Sequence, residues 1–119
     1  MTDSTQITAS TTRGTLYVVA TPIGNLDDMT PRAVAILQRV ARIACEDTRH
    51  SGRLLSHFAI TTPLLAYHDH SDEQRTGQIL SWLQSGEDIA LISDAGTPLI
   101  SDPGYRLVRE ARAQGLTVV

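Results

Sequence analysis

After an opening polar stretch, the hydrophobic pattern of the chain divides into nine segments of alternating period. Short apolar runs, which predict strands, alternate with longer stretches in which apolar residues recur at helical spacing. The first run is nearly continuous in apolar residues, which is typical of a strand buried on both faces. The five short runs are Leu16 to Thr21, Arg42 to Asp47, Leu64 to Tyr67, Asp88 to Asp94 and Leu116 to Val119.

Capping residues mark the helices between these strands. Thr30 can cap the first, with Pro31 at its first helical position, and Ser71 to Gln74 has the form of a capping box. The predicted helices begin near Thr30, Thr48, Ser71 and Asp102. The alternation of strand and helix predicts an α/β protein of three layers, α/β/α, with a mostly parallel sheet of about five strands.

Length and composition predict one ordered domain in this chain of 119 residues. Residues 1–13 are rich in Ser and Thr and are expected to form a disordered tail, which leaves 14–119 as the α/β domain. No apolar run approaches the length of a membrane span. The chain stops at Val119 inside what reads as a buried strand, and we therefore expect a fragment that a further domain follows.

The cysteine content and the net charge restrict the cellular location and the mode of nucleic-acid binding. The single cysteine, Cys45, lies in an apolar run, which excludes an internal disulfide and favours a cytoplasmic location. The net charge of −3 argues against nucleic-acid binding through bulk positive charge. Local binding stays open, because all ten basic residues are arginine, the better partner for phosphate.

Polar loops follow the first four strands, where ligands bind in open parallel sheets. The loop after the first strand has only Gly24 where a dinucleotide fold needs three glycines. Glu46 and Asp47, after the second strand, match the place where such folds hold a ribose, although helix capping by Asp47 or Thr48 explains them equally well. The segment Leu91 to Arg106 carries two Ser-Asp pairs and suits either a ligand loop or a turn.

Metal and hydrolase chemistry have weak support. His68, Asp69 and His70 invite a metal site, yet no Cys or third His stands at ligand spacing. No G-x-S-x-G elbow positions a serine nucleophile. Arg49, Arg53 and His57 are spaced by four and share a helix face, which suits either phosphate binding or plain solvation.

Three motifs together resemble the N-terminal domain of the tetrapyrrole methylase-like superfamily, and within it the branch that methylates small-subunit ribosomal RNA. They are LYVVATPIGNLDDMTPRA, CEDTR and SDAGTPLISDPG, in a resemblance that covers about Gly14 to Val119. It implies an S-adenosylmethionine-dependent enzyme of two α/β domains that acts on the ribose 2′-hydroxyl of a cytidine in 16S ribosomal RNA within the small ribosomal subunit. A homodimer is expected as well.

The resemblance also places the methyl donor. It assigns to the donor Pro22, Gly24 and Asn25 after the first strand, and Asp94, Ala95, Gly96, Thr97, Pro98 and Ser101 after the fourth. One glycine of the family's first loop is missing and Thr97 replaces an aspartate, which fits the RNA-modifying branch and puts a porphyrin substrate in doubt.

Methyl transfer to a hydroxyl also needs a general base and residues that bind the RNA. The sequence does not decide which residue is the base. Glu46, Asp47 and Asp94 are the candidate bases, while Arg49 and Arg53 are the candidate RNA contacts. A small-molecule methylase of the same fold and a non-enzymatic nucleotide-binding module are the alternative functions.

Overall fold

A computed structural model describes residues 13–20, 29–67, 72–93 and 102–119. Strands and helices alternate along these residues without exception. They are β1 (Thr15–Ala20), α1 (Pro31–Arg39), β2 (Arg42–Cys45), α2 (Thr48–His57), β3 (Leu64–Ala66), α3 (Asp72–Gln84), β4 (Ile89–Ser93), α4 (Asp102–Ala113) and β5 (Thr117–Val118).

The five strands form one parallel sheet in the order β3-β2-β4-β1-β5. β4 lies at the centre, paired with β1 on one side and with β2 on the other. The predicted mostly parallel sheet is thus confirmed. The last strand differs from the prediction in one respect: β5 lies at the sheet edge, and Val119 is 51% exposed rather than buried.

Alternation along the strands sends side chains into two separate cores. On β4, Ile89 and Leu91 join one cluster while Ala90 and Ile92 join the other. The first cluster contains the buried residues of α3 and α4, and the second contains those of α1 and α2. Each face of the sheet therefore carries two helices, which confirms the three-layer α/β/α fold.

Capping side chains fix where helices begin. The Thr30 hydroxyl accepts a hydrogen bond from the Ala33 N–H at 3.0 Å, as the sequence predicts. Asp47 caps α2 in the same way, and β2 accordingly ends at Cys45, two residues before the predicted end. Gly86 follows α3 with a φ of 103°, a conformation that favours glycine at a helix end.

The amino edge of the sheet is locked by contacts between distant segments. Gly14 donates its N–H to the Leu83 carbonyl at 2.7 Å, and Thr15 donates to the Asp88 carboxylate at 2.8 Å. Arg13 donates to the carbonyls of Gln114 and Gly115. Arg13, which was assigned to the tail from the sequence, makes these contacts, and the tail prediction for residues 1–12 lies outside the described residues.

A stacked ion pair closes the same edge one strand further along. The Arg42 guanidinium lies 3.8 Å from the centre of the Trp82 ring and contacts the Glu87 carboxylate at 2.8 Å. Both charged side chains are about one-third exposed. The amino edge is therefore closed by packing and pairing, and a ligand site has to be sought at the opposite edge.

Candidate functional site

The carboxyl edge of the sheet opens a crevice between two neighbouring strands. The last residues of β1 and β4, Ala20 and Ser93, are register partners in the sheet. The chain passes from β1 to α1 on one face and from β4 to α4 on the other. Chains that leave adjacent parallel strands for opposite faces create the crevice in which open α/β sheets bind ligands.

The residues predicted to hold the methyl donor belong to the two segments that leave from this point. Pro22, Gly24 and Asn25 follow β1, whereas Asp94, Ala95, Gly96, Thr97, Pro98 and Ser101 follow β4. All of them, and the candidate base Asp94, lie outside the described residues. The described strands bring the starting points of both segments together, although 73 positions separate Ala20 from Ser93 along the chain.

A cavity of about 230 Å³ adjoins the end of β1. Its inner wall is apolar, formed by residues such as Val19, Ala33 and Ile36, and it also contacts Ala20. The residues of its lining with polar side chains are Tyr17, Thr30 and Arg32, and Val119 lies beside them. Thr30 and Arg32 belong to the cap and first turn of α1, so Arg32 lies at the carboxyl edge of the sheet.

The Asp47 carboxylate caps the N-terminus of α2 at this edge. One of its carboxylate oxygens accepts hydrogen bonds from the N–H groups of Arg49 and His50, at 2.9 and 3.3 Å. Both bonds stabilise the ionised carboxylate, the one from His50 more than the one from Arg49, and they lower the pKa of Asp47 below its usual value. A carboxylate with a lowered pKa is a weaker base, whereas Glu46, the next residue back, is exposed and makes no cap.

The candidate RNA contacts lie on the outer surface of α2. Arg49, Arg53 and His57 are all exposed, and the Arg49 side chain retains 93% of its accessible surface. The Arg49 guanidinium stands 3.9 Å from Asp47, an exposed ion pair of the kind that contributes little to stability. These side chains are accessible to a polyanion.

Two features of the site have no counterpart in the sequence predictions. Ser51, in the first turns of α2, is 1% exposed, and within the described part of the chain its hydroxyl has no hydrogen-bond partner. Arg32 was missed because Thr30 and Pro31 mark the segment as a helix start, and only the fold shows that this arginine lines the cavity.

Three further expectations from the sequence concern the cysteine, the histidine-rich segment and the absence of a membrane span. Cys45 is buried, which agrees with its place in an apolar run of the sequence. His68, Asp69 and His70 lie outside the described residues, and across the described ones no three His, Cys, Asp or Glu side chains come together as a metal site would require. None of the described helices has the length and apolar character needed to cross a bilayer.

The chain matches known proteins over most of its length. Residues 15–119 match the family model of tetrapyrrole (corrin/porphyrin) methylases. A Pseudomonas aeruginosa protein named ribosomal RNA small subunit methyltransferase I is 64% identical over 106 residues, which are 89% of this chain and 38% of that protein. The protein of the same name from Escherichia coli O157:H7 is 57% identical over 111 residues, 93% of this chain and 39% of its own length.

Solved structures share the fold at much lower identity. Uroporphyrin-III-C-methyltransferase from Thermus thermophilus superposes with a TM-score of 0.69 at 19% identity, over 89% of this chain and 46% of that one. Diphthine synthase superposes with a TM-score of 0.71 at 12% identity, over 88% of this chain and 42% of that one. The chain spans about two-fifths of the length of the curated relatives.

Proposed function

Because the chain belongs to the tetrapyrrole methylase family, we propose that this protein is an S-adenosylmethionine-dependent methyltransferase of ribosomal RNA. The observation that carries the proposal is the 64% identity, over nearly the whole domain, to a protein named ribosomal RNA small subunit methyltransferase I. The acceptor is the ribose 2′-hydroxyl of a cytidine in 16S RNA, presented in the small ribosomal subunit. The protein acts in the cytoplasm as a homodimer.

The carboxyl edge fits the donor because the crevice between β1 and β4 is the ligand position of open parallel sheets. Residues of the two loops at the crevice would hold the donor. They are Pro22, Gly24 and Asn25 after β1, and Asp94, Ala95, Gly96, Thr97, Pro98 and Ser101 after β4.

When bound, the donor supplies an electrophilic methyl group on a sulfonium. The protein's part is to hold the 2′-hydroxyl in line with that methyl group and to take up the hydroxyl proton. Alignment contributes up to roughly 7–11 kcal/mol and a positioned base roughly 10²–10⁴-fold in rate. Among the candidate bases, Glu46 suits the second role better than Asp47, whose carboxylate is engaged in capping α2.

RNA binding is assigned to the α2 surface. Arg49 and Arg53 are exposed one helical turn apart, beside the strand ends where the acceptor hydroxyl has to lie. Guanidinium groups bind phosphate oxygens through two parallel hydrogen bonds, which suits a ribose-phosphate backbone. The acceptor strand therefore enters over α2.

Methyl transfer separates this proposal from its alternatives. The protein at its full natural length is incubated with labelled donor and either unmethylated small ribosomal subunits or uroporphyrinogen. We expect label in the RNA, at a ribose 2′-oxygen, and none in the tetrapyrrole. Labelled tetrapyrrole would establish a small-molecule methylase, and absence of donor binding by calorimetry would indicate a module without methylase activity.

A further inference from the structure

The two helix layers of the fold carry different charge, although the chain as a whole is acidic. α1 and α2 contain four arginines, two histidines and no acidic residue. α3 and α4 contain four arginines balanced by four acidic residues. One face of the domain is therefore basic, and the opposite face is neutral.

Several of these cations stand where they reduce helix stability. Arg32 and Arg49 are the second residues of α1 and α2, where the helix dipole is positive and favours acidic side chains. Arg49 and Arg53 are four residues apart, a spacing at which like charges repel. Arg39, by contrast, is favourably placed in the last turn of α1 and contacts the Tyr17 ring.

Arg32 also lies at the edge of the sheet where the reaction is placed. It is the second residue of α1, and it lines the cavity that runs along β1 from Tyr17 to Ala20, the last residue of that strand. Arg39 lies two helical turns away, beside Tyr17 near the start of that strand. The two arginines of α1 therefore differ in position relative to the acceptor, although each adds the same charge.

We propose that Arg32 is a third phosphate contact, so that the RNA backbone crosses the α1 and α2 layer along the carboxyl edge from Arg32 to Arg49 and Arg53. The inference rests on the proposed function and extends its RNA surface onto a second helix. The inference is carried by complementary charge, because three cations whose placement costs local stability line one edge of a layer whose two helices contain no acidic residue. The nearby acids are Glu46 and the capping Asp47, with Asp27 and Asp28 preceding α1 outside the described residues.

The test compares three equal changes of charge in the protein at its full natural length. Arg32→Gln is measured beside Arg39→Gln, at the other end of the same helix, and Arg112→Gln, on the opposite layer. Binding to 16S RNA is followed from 50 to 200 mM KCl. Loss of one phosphate contact lowers the salt slope by roughly 0.7–0.9, so the affinity lost across this range shrinks about threefold for Arg32→Gln. Both controls should retain the slope of the parent protein.

Donor affinity and melting temperature distinguish an RNA contact from other roles of Arg32. Arg32→Gln should leave donor affinity unchanged and should not lower the melting temperature, because a cation leaves the positive end of a helix. An unchanged slope, an equal drop in all three variants or a loss of donor affinity overturns the inference. If the parent protein methylates RNA and Arg32→Gln has the same salt slope as the parent, only this inference fails. If the parent protein binds the donor but not RNA, both this inference and the proposed function fail.

Discussion

Replacing Gly14 with alanine should destabilise the domain because its backbone lies directly against another backbone segment. A Cβ at this position would stand 1.7 Å from the Glu87 carbonyl oxygen and 2.4 Å from its carbonyl carbon. Carbon and oxygen in close contact stay about 3.3 Å apart, so the two segments must separate by roughly 1.5 Å. That movement breaks the 2.8 Å bond from the Thr15 N–H to Asp88 and strains the bond from Gly14 to Leu83.

The expected cost combines these effects. A charge-assisted hydrogen bond contributes about 1.5–3 kcal/mol and overpacking costs about 1–3 kcal/mol, while the stiffer unfolded chain returns about 0.4–1 kcal/mol. The free energy of unfolding should therefore fall by about 2–4 kcal/mol, a large part of the roughly 5–15 kcal/mol typical of domains. Urea denaturation measures this as a lower midpoint at constant slope.

Gly77→Ala is the matched control. Gly77 lies inside α3, and a Cβ there would meet nothing within 4 Å. Alanine in a helix interior is favoured over glycine by about 0.5–1 kcal/mol, so this variant should be more stable than the parent. If both variants change stability in the same direction, or if Gly14→Ala unfolds at the parent's midpoint, the contact between Gly14 and Glu87 does not have the tightness described above.

Three smaller predictions concern α2 and the amino terminus. The lowered pKa of Asp47 means that its charge stabilises the fold above the unfolded pKa of about 3.9, and that this contribution is lost as the pH falls through the lower folded pKa. Asp47→Asn keeps a capping side chain, so its melting temperature should lie below that of the parent near neutral pH and converge with it below about pH 4; a gap that is constant with pH would contradict this. Ser51→Ala should raise the free energy of unfolding by about 1–3 kcal/mol by removing a buried hydroxyl without a described partner, against at most about 0.5 kcal/mol for the exposed Ser56→Ala; equal gains would show that Ser51 is hydrogen-bonded in solution. Deleting residues 1–12 should leave the melting temperature unchanged, whereas deleting Arg13 as well should lower it, and a drop already with the shorter deletion would place stabilising contacts in the tail.

Local sequence signals predicted the elements because each depends on neighbours in the chain. Thr30 with Pro31 marked the start of α1, and the apolar run within Asp88 to Asp94 marked the strand β4. The end of β2 was predicted two residues too late, since Asp47 is compatible with a strand end and with a cap, and the hydrogen bonds to Arg49 and His50 decide for the cap.

Features that depend on strand order could not be predicted from these local signals. The apolar run at Leu116 to Val119 looks the same for a central strand and an edge strand, and only the order of the described strands shows that β5 lies at an edge. The position of Arg32 at the cavity is hidden for the same reason, because the cavity forms where α1 packs beside β1. The sequence thus predicted which loops carry polar groups, and the register of β1 with β4 brings two of those loops to one place.

The central position of β4 also governs when the domain can assemble during synthesis. β1 leaves the ribosome early, yet both of its partners, β4 and β5, come after β2 and β3 along the chain, and Thr15 bonds to a carboxylate 73 residues further along. Until β4 emerges, β1 and the β2–β3 pair have no strand to join them, and their apolar faces stay exposed. Nascent chains of this topology fold late, gain most of their sheet in a single step and depend on protection from association in the interval.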